Sequence, residues 1–201
     1  ATLFKKIREF FDAQGLIEVQ TPYLLNIPTT DIYIDSIAVA TNQEIGQKTH
    51  KYLHTSPELE MKKLLSQGSG DIYQICQVFR DNEIGERNFN EFTLLEYYRF
   101  DFDIHQLMSD ISALLRHLGI HDEAVKMSYA QAFNQFGKID ILNTDFESLK
   151  RIALTHDLNI DFEWIEDLQM LLFVHLVEPC LKDLPVCFIY DYPSEQAALA
   201  R

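Results

Sequence analysis

Two apolar runs separated by a polar loop constrain the fold of this chain more than any other feature. Ile72–Arg80 and Glu91–Phe100 both have the aromatic and β-branched content of strands, and the ten residues 81–90 lie between them. Two strands joined in this way predict an antiparallel hairpin. Ten residues exceed the roughly two to five that are usual in hairpin loops, and over-long loops are often functional.

The second strand carries a carboxylate in an unusual position. Side chains alternate between the two faces of a strand, so one face holds Phe92, Leu94, Glu96 and Tyr98. Glu96 lies among apolar neighbours on that face, where a carboxylate without a partner is costly. We therefore expect a cation opposite Glu96. The pattern leaves two alternatives, a structural Arg or Lys and the ammonium group of a ligand.

Helical periodicity and short apolar runs predict the remaining elements. The predicted helices are 1–14, 56–68, 103–119, 128–136, 145–156 and 161–177. The other predicted strands are 16–19, a piece at 31–40 within an otherwise irregular segment 23–50, and 186–190. Adjacent strands mixed with helices predict an α+β fold, with an antiparallel sheet flanked by helices. The segment 120–185 is the best candidate for a helical insertion.

Ser56-Pro57-Glu58 predicts the start of the second helix. A serine hydroxyl can cap free backbone amides, proline suits the first helical position, and glutamate favours the positive end of the helix dipole. Asp103 and Gly119 predict the start and the end of the third helix in the same way.

The charge balance excludes some functions. The chain has 201 residues, with 31 Asp plus Glu against 17 Lys plus Arg, which gives a formal charge of −14. An acidic chain lacks the diffuse positive field of non-specific nucleic-acid binding, although a few placed arginines suffice to hold a nucleotide. The longest apolar run is far shorter than the roughly 20 residues of a membrane span, so no membrane partner is expected.

The cysteines predict a reducing environment. Cys76, Cys180 and Cys187 form no CxxC pair, and an odd number is not a disulfide framework. Buried reduced thiols, and hence a cytoplasmic location, are the expectation.

Several segments resemble class II aminoacyl-tRNA synthetases of the lysyl branch. Phe79-Arg80, the polar loop and Glu91-Phe92-Thr93 resemble their motif 2, with the same twelve positions from Arg80 to Phe92. Gly15–Pro22 resembles motif 1, which implies a homodimer. TSPE (55–58), LLEYYR (94–99) and YPSEQAALAR (192–201) are nearer to truncated lysyl-tRNA synthetase paralogues that ligate a lysine-type amino acid to elongation factor P.

The resemblance implies ATP-dependent formation of an aminoacyl adenylate. It places Arg80 at the α-phosphate, as the catalytic residue, because negative charge develops there during the reaction. It stacks Phe92 on the adenine and brings Glu83 and Glu91 to the nucleotide. Mg²⁺ would accompany the ATP, and no metal ligands are assigned within the chain.

The amino-acid side is assigned in the same way. Glu96 and Tyr98 would receive the ammonium of lysine or β-lysine, with Ser56, Pro57 and Glu58 beside them. This resolves the unpaired carboxylate in favour of a ligand. A plain helix cap remains the alternative for Ser56 and Glu58, and the sequence does not distinguish lysine from β-lysine.

The chain also departs from the family pattern. Asn82 stands where the family has a glutamate, and Phe89 stands where it has an asparagine. Motif 3, with its second arginine, is absent from 1–201, so the catalytic domain is expected to be incomplete at its C-terminal end. Two alternatives follow: the catalytic fragment of a lysyl-tRNA synthetase, with tRNA as acceptor, and a non-catalytic synthetase-like binding protein.

Overall fold

The structure is a computed structural model that describes residues 2–31, 33–44, 47–83, 85 and 88–196. It contains two compact units, Ala1–Gly119 and Ile120–Arg201. Helices and strands occur in both, which confirms the α+β class. The segment 120–185 falls within the second unit. That it is an insertion into the catalytic domain stays a prediction.

The first unit contains the predicted hairpin. Its helices are α1 (Thr2–Ala13), α2 (Glu58–Ser66) and α3 (Ile104–Leu118). Its strands are β1 (Ile17–Glu18), β2 (Leu24–Leu25), β3 (Ala38–Glu44), β4 (Gln47–Leu53), β5 (Ile72–Phe79) and β6 (Glu91–Tyr98). The predictions for all three helices and for the two hairpin strands are confirmed to within a few residues.

β5 and β6 pair antiparallel, from Ile72 opposite Tyr98 to Phe79 opposite Glu91. β1 pairs with the other edge of β5, but in parallel, with Ile17 opposite Ile72. The predicted antiparallel pairing is confirmed for β5 and β6, whereas β1 adds a parallel strand at the edge of this sheet. Parallel neighbours require a long crossover connection, and the chain between β1 and β5 is long enough to provide it.

The segment 23–50 was predicted to be mostly irregular, and this was wrong. β3 and β4 form an antiparallel pair, and β2 joins the other edge of β4. The expected strand piece at 31–40 overlaps β3 only from Ala38 onwards. Exposed and partly buried residues alternate over Ala38–Asn42 of β3, and Lys51–Leu53 of β4 are all partly buried. Because neither face enters a core, the sequence has no apolar alternation to reveal them.

The core of the first unit lies on one face of the hairpin. Its buried members are Ile7, Phe11, Leu16, Tyr73 and Leu114. The ring of Phe11 stacks on that of Tyr73, with centroids 4.8 Å apart. Asp103 caps α3 in a capping box with Gln106, and Gly119 ends it with a positive φ of 103°. Both predicted ends of α3 are confirmed, since a left-handed residue at this position favours glycine.

The second unit is not wholly helical. Its elements are β7 (Val125–Ser128), α4 (Tyr129–Ala132), α5 (Phe146–Thr155), α6 (Ile165–Leu172), α7 (Glu178–Leu181) and β8 (Cys187–Tyr190). β7 and β8 pair in parallel. β8 was predicted from its continuous apolar run, whereas β7, of the same length, was not predicted because Lys126 and Ser128 interrupt its apolar residues. α4 and α6 each continue into a π-helical turn, at Phe133–Gly137 and Phe173–Val177, and α6 starts four residues later than predicted.

All three cysteines are free thiols, as predicted. Cys76 is buried and Cys187 is partly buried, but Cys180 is exposed, so the expectation of burial was wrong there. In the part of the chain that the structure describes, no helix is both long and apolar enough to cross a membrane.

Candidate active site

The predicted site residues lie on and beside one face of the β5–β6 hairpin. The face that packs on α1 carries Tyr73 and Tyr97. Strand alternation turns the neighbouring pairs to the opposite face, where Gln74 stands opposite Glu96 and Val78 stands opposite Phe92.

Glu96 is the centre of the amino-acid side. Its Oε1 accepts a hydrogen bond of 2.7 Å from the Tyr98 hydroxyl, and its Oε2 accepts one of 2.9 Å from Ser56 Oγ. Burial, followed by the bond and the charge of Glu96 and by the charge of Glu58, raises the pKa of Tyr98 well above its ordinary value. The phenol is therefore protonated, and it donates to Glu96.

A cation opposite Glu96 was expected. In the described part of the chain, no Arg or Lys side chain forms an ion pair with Glu96. Two hydroxyl donors orient its carboxylate but leave its charge unneutralised.

The start of α2 lies beside this carboxylate. α2 begins at Glu58, with Pro57 rather than Ser56 at the cap position, so the prediction was wrong by one residue. Ser56 Oγ nevertheless accepts a 3.1 Å bond from the backbone N–H of Glu58 while it donates to Glu96. Helix start and site contact are therefore two roles of one hydroxyl. The Glu58 carboxylate accepts a bond of 2.6 Å from Lys62 Nζ on the same helix.

Arg80 follows β5 directly and lies beside two of the predicted ATP-site residues, Phe92 and Glu83. Its Nε donates to the carbonyl of Thr55 at 3.2 Å, and its guanidinium carbon lies 5.1 Å from the centroid of the Phe92 ring. Its Nη1 is 3.7 Å from Glu83 Oε1. A partly buried guanidinium fixed at Nε, with a carboxylate at an outer nitrogen, is arranged to receive an anion.

Asn82 and Phe89, the two loop residues that differ from the family pattern, are both among the described residues. Asn82 adopts a positive φ of 59°, and its Nδ2 donates to Asp35 Oδ2 at 3.0 Å. The amide of Asn82 is thus engaged with the segment before β3. Phe89 is 68% exposed, and Glu91 is exposed at the start of β6. Positions 84, 86 and 87 of the polar loop lie outside the described residues.

Comparison with known proteins agrees with this arrangement. The family model described as "tRNA synthetases class II (D, K and N)" matches residues 1–201. The chain belongs to this class II synthetase family. Among curated proteins it is 39% identical to the elongation factor P–(R)-beta-lysine ligase of Vibrio cholerae. It is 37% identical to that of Haemophilus influenzae and 42% identical to that of Photobacterium profundum. Each match covers the whole chain but only 63% or 64% of the relative's length.

The family resemblance did not reveal Gln74, which lies in the middle of the class II hairpin. Its side chain is buried, with 1% exposed, and directly opposite Glu96 in register. Within the described residues, neither its amide oxygen nor its amide nitrogen makes a hydrogen bond of good geometry. The amide lies near the Cys76 thiol, where it opposes part of the rise in the pKa of that thiol that burial causes. Applying strand alternation to β5 as well as β6 would have found it, as the polar member of the series Ile72, Gln74, Cys76 and Val78.

Metal binding within this class II domain has no visible ligand set. No group of three or more His, Cys, Asp or Glu side chains that could hold an ion occurs in the described ranges. Glu83 pairs with the Arg80 guanidinium, and Asp35 accepts a hydrogen bond from Asn82.

Proposed function

We propose that the chain is part of an ATP-dependent ligase that adenylates a lysine-type amino acid and transfers it to a lysine of elongation factor P. The observation that carries this proposal is the Glu96 carboxylate, which is oriented by Ser56 and Tyr98 and has no cation among the described residues. Arg80 and Phe92 lie together at the other end of the same hairpin. The acceptor follows from the printed names of the relatives.

The amino acid would bind through its side-chain ammonium. A charge-assisted bond to Glu96 is about twice as strong as a neutral one, and the hydroxyls of Ser56 and Tyr98 already hold the carboxylate in place. The unpartnered amide of Gln74 lies beside it and can serve another polar group of the amino acid. A buried amide without a hydrogen-bond partner is costly. A ligand that provides this partner therefore binds more tightly. Pro57 and Glu58 complete this side at the start of α2.

ATP would bind at the other end of the hairpin, next to Arg80. As the carboxylate of the amino acid attacks the α-phosphorus and pyrophosphate leaves, negative charge develops on the α-phosphate. The Arg80 guanidinium can stabilise that charge, with its bond to Glu83 giving way to the phosphate. Phe92 offers a flat apolar face for adenine, and Glu91 lies next to it in sequence for the polar edge of the base.

The second half-reaction needs no nucleophile from this chain. The lysine amine of the acceptor attacks the carbonyl carbon of the adenylate, the acyl–oxygen bond to AMP breaks, and a new amide forms. Holding both reactants in place replaces covalent catalysis. Mg²⁺ is proposed as the ion that accompanies ATP.

The proposal extends to assembly and location. The similarity of Gly15–Pro22 to motif 1 supports a homodimer, and free thiols support a cytoplasmic enzyme. A lysyl-tRNA synthetase fragment, with tRNA as acceptor, is the second candidate, and the family description, which includes the K enzymes, favours it. A non-catalytic binding protein is the third, and the departures at Asn82 and Phe89 favour it.

A side-by-side acceptor assay tests the proposal. The full-length protein is incubated with ATP and radiolabelled lysine or β-lysine, with purified elongation factor P in one tube and tRNA in the other. We expect label on elongation factor P and none on tRNA. Charging of tRNA without label on the protein would establish the synthetase alternative, and the absence of both products and of lysine-dependent pyrophosphate–ATP exchange would establish a non-catalytic protein.

A further inference from the structure

His54 lies at the junction between β4 and the segment that carries Thr55 and Ser56. It is buried, with 1% of its surface exposed. Its Nε2 lies 2.6 Å from the backbone carbonyl oxygen of Gln77 on β5. A carbonyl oxygen only accepts, so Nε2 carries the proton and donates it. The side chain thereby ties the end of β4 to the middle of the catalytic hairpin.

The backbone of His54 is fixed as firmly as its ring. Its N–H donates to the carbonyl of Tyr23 at 2.8 Å, and its carbonyl accepts from the N–H of Phe79 at 3.0 Å. The ring of Tyr23 stacks on the imidazole, with centroids 4.7 Å apart and planes at 15°. Two separate segments of the first unit, the one at Tyr23 and strand β5, therefore hold this residue.

The two residues that follow make the central contacts of the site. The Thr55 carbonyl accepts from Arg80 Nε at 3.2 Å, and Ser56 Oγ donates to Glu96 at 2.9 Å. One contact belongs to the proposed phosphate side, and the other belongs to the amino-acid side. Because Thr55 and Ser56 follow His54 without interruption, a shift of the His54 backbone would disturb both contacts together.

We propose that His54 is a positioning residue that fixes Thr55 and Ser56, and so keeps Arg80 and Glu96 aligned for a single reaction. The alignment of two reactants is what this chemistry depends on, and a misplacement of about 1 Å can cost about a hundredfold in rate. The catalytic part of this inference rests on the proposed function, whereas the positioning part concerns the chain alone.

The electrostatics of His54 fit this role. Burial lowers its pKa below the ordinary value, while the bond to Gln77 and the charge of Glu96 offset part of the shift. A neutral imidazole adds no positive charge near Glu96, so that carboxylate stays available for a cationic ligand. The second nitrogen, Nδ1, is buried and has no partner in the described part of the chain. The one hydrogen bond that the His54 ring makes is therefore the bond that Nε2–H donates to Gln77, and a neutral imidazole is sufficient for it.

Three variants of the full-length protein test the inference. His54→Leu removes the donor and keeps a similar volume, whereas His54→Gln keeps a donor for the Gln77 carbonyl. Tyr73→Phe is the matched control, because Tyr73 is equally buried but points to the opposite face of β5 and loses only its hydroxyl bonds to Asp12 and Glu18. The thermal midpoint of each variant measures its general destabilisation.

Hydrogen exchange and kinetics then separate positioning from stability. In His54→Leu, we expect faster amide exchange at Glu58, whose N–H donates to Ser56 Oγ. We also expect a loss of about ten- to a hundredfold in kcat/KM for lysine in pyrophosphate–ATP exchange. His54→Gln should recover most of both. Tyr73→Phe should lower the thermal midpoint and change neither.

Two outcomes would overturn parts of this account, and they are distinguishable. The two variants are compared at temperatures equally far below their thermal midpoints. If His54→Leu then shows the same amide exchange at Glu58 and the same kcat/KM as Tyr73→Phe, His54 is only a core residue and the inference is wrong. If the wild-type protein shows no lysine-dependent exchange, the proposed function is wrong. Amide exchange at Glu58 then still decides whether His54 positions the segment.

Discussion

The two faces of the β5–β6 hairpin treat buried polar groups in opposite ways. On the packed face, the rings of Tyr73 and Tyr97 lie 4.8 and 4.9 Å from Phe11. The buried Tyr73 hydroxyl donates to Asp12 Oδ1 at 3.1 Å and to Glu18 Oε2 at 3.4 Å. This face is closed by aromatic packing, and the protein itself supplies the partners of Tyr73.

On the opposite face, polar atoms are buried without being satisfied. Gln74 has two unpartnered amide atoms, and no described residue gives Glu96 a cation. Tyr97, whose hydroxyl also lacks a partner, is the exception on the packed face, where it lies in the field of Asp110 and Arg99. Buried polar groups are normally paired, and the proposed function assigns the partner of the Gln74 amide and the counter-charge of Glu96 to a ligand.

The largest expected effect is on the packed face. Phe11→Ala should lower the free energy of unfolding by about 3–5 kcal/mol, a large part of the roughly 5–15 kcal/mol of a typical domain. Urea unfolding measures it, with Leu3→Ala as control, because Leu3 lies on the same helix but is 54% exposed. Equal losses in the two variants would show that Phe11 is not the centre of the packed face.

The next effect belongs to the opposite face. Arg80→Ala should leave the fold intact and slow lysine-dependent pyrophosphate–ATP exchange about a hundred- to a thousandfold, or roughly 3–4 kcal/mol, because stabilisation of the transition-state charge is lost. Arg8→Ala is the control, since Arg8 binds Glu18 through two nitrogens and lies away from the site face. Unchanged exchange in Arg80→Ala would contradict the assignment of Arg80.

A third prediction concerns stability on the opposite face, which carries Gln74 and Glu96. Gln74→Leu removes two buried polar atoms that have no partners, so it should raise the free energy of unfolding of the ligand-free protein by about 1–3 kcal/mol. Lysine should protect this variant less than it protects the wild type. In the control, Gln77→Leu, a real bond from Thr93 is lost, so no gain is expected. A loss of stability in Gln74→Leu would show that its amide is satisfied in the folded protein.

Local patterns made part of this structure predictable. The hairpin follows from two strand-like runs, and the ends of α3 follow from Asp103 and Gly119, because each signal lies within a few residues. The parallel pairing of β1 with β5 depends on residues far apart in the chain, so no local pattern encodes it. β3 and β4 lack a buried face, and hence they lack an apolar period.

The site was predictable to the same extent. The pairing of Tyr98 with Glu96 follows from alternation along one strand, and the neighbours of Arg80 follow from a motif. Alternation along β5 identifies Gln74 as a polar residue on an apolar face, but its position opposite Glu96 requires the register of β5 against β6. The role of His54 becomes visible only when its own segment is brought together with Tyr23 and strand β5.

Binding of a stable lysyl-adenylate analogue tests the central claim most directly. The probe is the sulfamoyl analogue of lysyl adenylate, titrated calorimetrically into the full-length protein and into two variants, Glu96→Gln and Glu18→Gln. The first variant removes the negative charge of Glu96 on the opposite face. The second removes the negative charge of Glu18, the partner of Tyr73 on the packed face. We expect Glu96→Gln to weaken binding about tenfold, or roughly 1.4 kcal/mol, because a charge-assisted bond becomes neutral, and Glu18→Gln to bind like the wild type. Equal affinities of the three proteins for the analogue would contradict the claim that Glu96 receives a lysine ammonium. Wild-type binding of the corresponding alanyl analogue with the same affinity as the lysyl analogue would contradict it as well.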